Sequence, residues 1–276
     1  INDASGSITL YTQPGTSGAT FASSSLPGTC VNLVGYPLNH TSGNEIKIRN
    51  TSDVTTGTGC SVTPPPPPGA GLTLTTSPYL QNFDGIGTAL PTGVSVRTAA
   101  TATALGTIAT FMPSNATGIW NKTGGGVKNF ASATGLTSTA DSTTQANATD
   151  RALGLRQVSA SDKEVAFVFQ LDNTTGKNNF ALEFLLQSLD PSVTGTVTWS
   201  VDYGIGDAPT TFTPIAASGT MTTGGVFTNN TITGSFGTAL NNQSGKVWIR
   251  IVALGASSGS GTRPSTAVDN FKLTWN

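Results

Sequence analysis

Apolar and polar residues alternate with period two along much of the chain, the pattern of half-buried β-strands. In Val165-Ala166-Phe167-Val168-Phe169-Gln170-Leu171 the two phenylalanines fall on one face. Phe180, Leu182, Phe184 and Leu186 share a face in the next segment, as do Val197, Trp199, Val201 and Tyr203 in residues 196–203. Residues 247–252 and 267–275 predict two more strands. Near the start, residues 7–11, 30–33 and 45–49 read as short strands, with Gly15-Thr16-Ser17-Gly18 as a turn. Residues 98–150 are rich in Ala, Thr and Gly and predict long loops or short edge strands. No segment carries a capped helical period. Many short strands separated by Gly, Asn and Thr turns predict an all-β fold of the sandwich or jelly-roll type.

An unbroken proline run, residues 64–68, divides the chain. Five prolines favour polyproline II, a stiff spacer. The expected organisation is a small β module at 1–62, a proline-rich linker at 63–71 and a larger β-sandwich at 72–276; a proline loop inside one domain is the alternative. The two cysteines, Cys30 and Cys60, lie in the small module without the spacing of a metal site. A disulfide is expected, stapling a segment too short to bury much surface. It would close a loop of about 30 residues and contribute roughly 3–4 kcal/mol in the chain-entropy model. An oxidising compartment follows, and the Ile1 start reads as a processed N-terminus, so a secreted or cell-surface protein is expected.

Composition narrows the function. Only 10% of the 276 residues are charged and the net charge is −1, so no basic surplus exists to neutralise the phosphates of a nucleic acid. No apolar run is long enough for a membrane helix. There are 27 serines and 47 threonines, yet 36% of residues are hydrophobic, enough to build a core rather than a disordered chain. The one histidine, His40, has no Gly-x-Ser-x-Gly elbow to serve. Three glutamates, Glu45, Glu164 and Glu183, offer little for the paired carboxylates of a glycosidase, although Glu183 and Asp202 are candidates for facing the same side of adjacent strands. No enzyme is expected.

Two resemblances add to this reading. The large module opens with Asn82-Phe83-Asp84-Gly85 and closes with Asp269-Asn270-Phe271-Lys272-Leu273. Over roughly residues 73–276 it resembles jelly-roll domains of the carbohydrate-binding-module type found on Bacteroidetes secreted proteins. Residues 7–33 resemble the first hairpin of a βγ-crystallin-type Greek key, without that family's calcium motif. The fold class expected is therefore a disulfide-stapled, Greek-key-like β module followed by a jelly-roll β-sandwich. In related jelly rolls the first and last strands pair, which implies that Asp84, Asp269 and Asn270 come together as candidate oxygen ligands for a structural calcium; capping of turns by these side chains is the alternative. No other cofactor is required.

If Ile249 and Ile251 face the core, Trp248 and Arg250 face outward, with Gln170, Glu183, Gln187, Ser200 and Asp202 by the same alternation. Trp248, Arg250, Glu183, Asp202 and Gln170 are the candidate residues of a saccharide groove. The alternative is that Trp248 packs under a loop from 98–150. Charge-starved strands are also poorly protected against edge pairing, which suits self-association into a filament or surface layer. The first expectation is a non-catalytic structural or adhesive protein whose partners are copies of itself or extracellular matrix. The second is a glycan-binding module, and a polysaccharide hydrolase is a distant third.

Overall fold

The computed structural model describes residues 2–3, 6–7, 9–11, 31–40, 43–47, 53–56, 70–86, 89–112, 126–132, 142–156, 164–189, 195–255, 257–258 and 265–276. Cys30, Cys60 and the proline run lie outside the described residues. The chain separates into two compact units, Ile1–Pro67 and Pro68–Asn276.

In the first unit the strands are short. Asn2–Asp3 pairs with Gly6–Ser7, and Val31–Leu33 pairs antiparallel with Val54–Thr56. Gly43–Lys47 runs between Tyr36–His40, antiparallel, and Thr9–Tyr11, parallel.

The second unit is a sandwich of two sheets. The six-stranded sheet runs in the order Thr107–Ile108, Val94–Thr98, Ala166–Leu171, Val247–Val252, Ser200–Ile205, Thr213–Pro214. The eight-stranded sheet runs Phe111–Met112, Gly126–Ala131, Arg151–Arg156, Ser265–Thr274, Ala181–Ser188, Thr228–Ser235, Ala217–Ser218, with Tyr79–Gln81 also paired to Ser265–Thr274. Every ladder in the two sheets is antiparallel except that of Phe111–Met112 with Gly126–Ala131.

Period-two alternation sets the core. Val96, Phe167, Phe169, Ile249 and Ile251 from one sheet meet Leu153, Leu182, Phe184, Leu186, Val268 and Phe271 from the other, all buried. Phe169 stacks on Phe271 across the sandwich with centroids 3.6 Å apart, and Phe167 stacks on Trp199 at 5.4 Å. At Trp199 the segment expected as one strand breaks. Thr196–Thr198 joins a small sheet with Thr222–Thr223 and Ser257–Ser258, and Ser200–Ile205 joins the six-stranded sheet. The Trp199 backbone N–H then bonds the Met221 carbonyl instead of a ladder partner, and the indole N–H donates to Thr223 Oγ1.

Residues 98–150 hold more structure than loops and edges. Gly126–Ala131 is an interior strand, and Ser142–Asn147 is a helix of six residues. Phe130, Ala131, Ala152, Leu189 and Ala267 form a separate apolar cluster, with Ala148 and Phe227 against it. Phe130 is able to lie across its neighbour strand because that strand has no side chain at Gly154. A methyl group built on Gly154 collides with the Phe130 ring, so Gly154→Ala is expected to lower the stability of the unit by about 1–3 kcal/mol. Urea denaturation checks this; an unchanged midpoint would show that Phe130 does not seal this cluster.

Candidate functional site

Alternation places Trp248, Arg250, Asp202 and Gln170 on the face of the six-stranded sheet that points away from the sandwich core, as the sequence implies. That face is not open. Trp248 is 5% exposed, Gln170 5%, Asp202 2% and Arg250 0%. Trp248 and Arg250 lie under the loop of residues 99–106 and the segment carrying Phe212, beside a second apolar cluster of Ala100, Ala166, Val168, Phe212, Trp248 and Val252, with Leu105 packed on it. The expected exposed stacking platform is therefore corrected: Trp248 is a covering-layer residue whose indole N–H donates to the Gly206 carbonyl at 2.8 Å.

Arg250 organises that layer. Its Nε donates to Asp202 Oδ1 at 2.7 Å and its Nη2 to Asp202 Oδ2 at 2.7 Å, a bidentate pair. Nη1 donates to the Ala104 carbonyl and Nη2 also to the Thr101 carbonyl, so four bonds tie the guanidinium to a strand neighbour and to the loop. The Phe212 ring caps it, with its centroid 3.4 Å from Cζ. Burial raises the Asp202 pKa, against the pull of the Arg250 contacts. The arrangement is structural, with no free donor turned to solvent.

Glu183 belongs elsewhere. It lies in the eight-stranded sheet and Asp202 in the six-stranded one, so the two carboxylates do not share a face. Glu183 is exposed, and its cross-strand neighbours form a row: Leu80, Lys272, Glu183, Thr233 and Ser218, one from each of five strands. At the strand spacing of about 4.8 Å this row spans roughly 19 Å. Two open hollows meet at it. One of about 540 Å³ is lined by Leu80, Gln81, Asn82 and Asn270 along with Glu183 and Lys272. The other, of about 470 Å³, is lined on the far side by Ala216, Ser218, Thr233 and Ser235. Leu80 is 65% exposed and supplies an apolar edge. Glu183 is the one carboxylate among the described lining residues. The groove escaped the sequence reading because alternation gives the face of each strand and not the sheet to which the strand belongs.

The third site, Asp84 with Asp269 and Asn270, lies where three strands meet. One edge of Ser265–Thr274 pairs first with Arg151–Arg156 and then with Tyr79–Gln81. The register shifts here, and Asn270 takes a φ of 48°. Asp84 Oδ1 accepts the Arg151 backbone N–H at 2.8 Å, and Asp84 Oδ2 accepts from Asn82 Nδ2. Asp269 Oδ1 accepts the Asn270 N–H and Oδ2 accepts the Ser132 hydroxyl, both at 2.6 Å. Each carboxylate oxygen is thus already used by a protein donor, and among the described residues no group of three or more His, Cys, Asp or Glu side chains is placed to hold a metal. Asp269 is 1% exposed; burial, with Asp150 and Asp84 nearby, pushes its pKa up to about 6. Burial likewise lowers the neighbouring Arg151 to about 10.

No family model matches the chain, and no curated protein matches it. Among solved structures it is distantly similar to the CBM22-1 xylan-binding domain of Paenibacillus barcinonensis Xyn10C, at 8% identity and a TM-score of 0.38, covering 71% of this chain and 92% of that one. It is similarly distant from the K1 cleaved adhesin domain of Lys-gingipain from Porphyromonas gingivalis W83, at 12% identity and a TM-score of 0.36, covering 73% of this chain and 99% of that one. Among the described residues no helix is long and apolar enough to cross a membrane.

Two outcomes follow from the buried charges. Arg250→Ala strands the Asp202 carboxylate without its partner, and a loss of about 3–5 kcal/mol is expected in urea denaturation; a loss below about 1 kcal/mol would show the pair to be dispensable. Asp269 holds its proton more tightly in the folded chain than in the unfolded one. Its stabilising contribution is therefore full below the ordinary carboxyl range and is lost as pH rises through about 6. Stability measured from pH 4 to 8 is expected to fall more steeply in the native chain than in Asp269→Asn, by about 2–3 kcal/mol at most. Parallel profiles would sink that assignment.

Proposed function

We propose that the large unit is a non-catalytic glycan-binding module of a secreted protein, and that it takes an extended polysaccharide across the five-strand row centred on Glu183 and Lys272. The observation that carries this reading is the pair of hollows meeting at that row on an open sheet face, while the outer face of the other sheet is sealed by the Arg250 layer. Hydroxyls of Thr233, Ser218 and Ser235 and amides of Gln81, Asn82 and Asn270 suit the alternating donors and acceptors of sugar hydroxyls. Leu80 suits the C–H face of a pyranose ring. Glycoside hydrolysis ordinarily takes a pair of carboxylates flanking the bond, and this lining holds one, which favours binding over hydrolysis.

Self-association by strand addition has less support. Among the described residues the outer strands of both large sheets are short: Thr107–Ile108, Thr213–Pro214, Phe111–Met112 and Ala217–Ser218 have two residues each, and Tyr79–Gln81 has three. Such short edges, one with a proline that has no N–H to offer, give an incoming strand little to pair with.

Affinity electrophoresis through gels containing soluble xylan, mixed-linkage β-glucan or mannan tests the proposal. The native chain is expected to be retarded by at least one of them. Glu183→Ala and Lys272→Ala are each expected to weaken that retardation about tenfold or more, roughly 1.4 kcal/mol, with an unchanged melting temperature. Trp248→Phe, which alters the sealed face, is expected to bind as the native chain does. No retardation by any of the polymers, or retardation indifferent to both groove variants, would overturn the reading.

A further inference from the structure

The groove leaves unexplained a buried nucleophile on the other side of the Asp269 bulge. Ser132 Oγ donates to Asp269 Oδ2 at 2.6 Å and accepts from Gln187 Nε2 at 2.8 Å. The three residues come from separate places in the chain: Ser132 just after Gly126–Ala131, Gln187 in Ala181–Ser188 and Asp269 in Ser265–Thr274. All are buried, with Gln187 at 0% exposure and Ser132 at 8%. A hydroxyl held between a carboxylate and a carboxamide, away from water, has the parts of an acyl-transfer centre: nucleophile, general base and electrophile.

A second observation points the same way. The side-chain oxygen of Gln187, Oε1, is buried and has no hydrogen-bond partner among the described residues. An unsatisfied buried polar atom is costly, and its persistence calls for a reason. An ester carbonyl is a weaker acceptor than an amide carbonyl, so converting this amide to an ester lowers the cost of the orphaned oxygen.

We propose that Ser132 and Gln187 become joined by an intramolecular ester between Ser132 Oγ and Gln187 Cδ, formed by the chain itself. Asp269 takes the hydroxyl proton as Oγ attacks Cδ. The tetrahedral centre collapses, the Cδ–Nε2 bond breaks, and the proton passes from Asp269 to the departing nitrogen. One ammonia leaves for each ester formed, with no oxidant, reductant or cofactor needed. The folded chain holds the two groups at contact distance, which gives the reaction its high effective concentration. Gln187 Nε2 is steadied by Asn229 Oδ1 at 2.9 Å, and Ser132 by its backbone N–H to the Asp150 carbonyl at 2.9 Å. Burial of the Asp269 carboxyl makes it a stronger base than an exposed carboxylate. The product ties the Gly126–Ala131 side of the sheet to Ala181–Ser188, bridging 55 residues of sequence.

Intact mass spectrometry of the full chain, held folded at neutral pH, tests this directly. The expected mass is lighter than the sequence by one ammonia, after allowing for any disulfide. Protease digestion should then yield a joined fragment containing both Ser132 and Gln187, which hydroxylamine separates. Ser132→Ala, Gln187→Ala and Asp269→Asn should each have the full mass of their own sequences. A native chain at its full sequence mass, or an ammonia loss that maps to any other residue pair, would overturn the proposal. Neither outcome depends on a variant folding.

Discussion

The buried bidentate pair of Arg250 and Asp202 decides which face of the molecule is free. Both residues sit on adjacent central strands of the six-stranded sheet, opposite each other in register. A charge pair in that position must be either solvated or enclosed. Here it is enclosed, and enclosure requires partners for the remaining guanidinium N–H groups. The carbonyls of Thr101 and Ala104 take two of the three, which fixes the loop between Ala99, at a φ of 53°, and Gly106, at 86°. Removal of either charge leaves the other uncompensated, so the pair holds the layer in place more by what its loss would cost than by its net gain. The loop then brings Ala100 and Leu105 over Trp248, and Arg97 lies 5.6 Å from the indole and bonds the Gly106 carbonyl.

The eight-stranded sheet solves a different problem. Its longest strand, Ser265–Thr274, serves two neighbours in turn along one edge, and the changeover leaves unpaired backbone near Asp269 and Asn270. Side chains close that gap: Asp269 bonds the Asn270 N–H and Asp84 bonds the Arg151 N–H. Polar groups gathered for this repair also include Ser132 and Gln187, so the reactive contact lies beside a structural necessity. Phe130, Leu189 and Ala267 keep one end of the face dry, and beyond them the face opens at Glu183 and Lys272.

Much of the fold was legible because period-two alternation reports burial directly. Phe167 and Phe169, then Phe180, Leu182, Phe184 and Leu186, then Val197, Trp199 and Val201, and Ile249 with Ile251 face the core as expected. The strand 126–131 was missed because Gly126, Lys128, Asn129 and Ala131 carry little apolar signal; pairing on both edges makes it a strand. The candidate site was legible only in part. Alternation correctly turned Trp248, Arg250, Gln170 and Asp202 away from the core, but it carries no information on what covers a sheet face. Nor does it assign strands to sheets, so Glu183 was grouped with residues on the opposite side of the sandwich. Tertiary pairings such as Lys272 with Glu183 and Leu80 are long-range facts with no local signature.

The shortage of charge and the surplus of threonine have a common physical meaning in this fold. A sandwich with few ion pairs must satisfy its buried polar atoms with short, neutral side chains, and threonine combines β-propensity with a hydroxyl that both donates and accepts. Thr223 accepts from the Trp199 indole and bonds Thr266 at 2.8 Å, which ties the small sheet to the long C-terminal strand. Thr174 donates to the Leu240 carbonyl and accepts the Gln243 N–H, which locks the turn ahead of Phe180. These bonds lose nothing to ionic screening, whereas surface ion pairs weaken as salt rises. The same chemistry shapes the groove: with one acid, one base and otherwise neutral hydroxyls and amides along it, recognition there rests on hydrogen-bond geometry more than on long-range attraction.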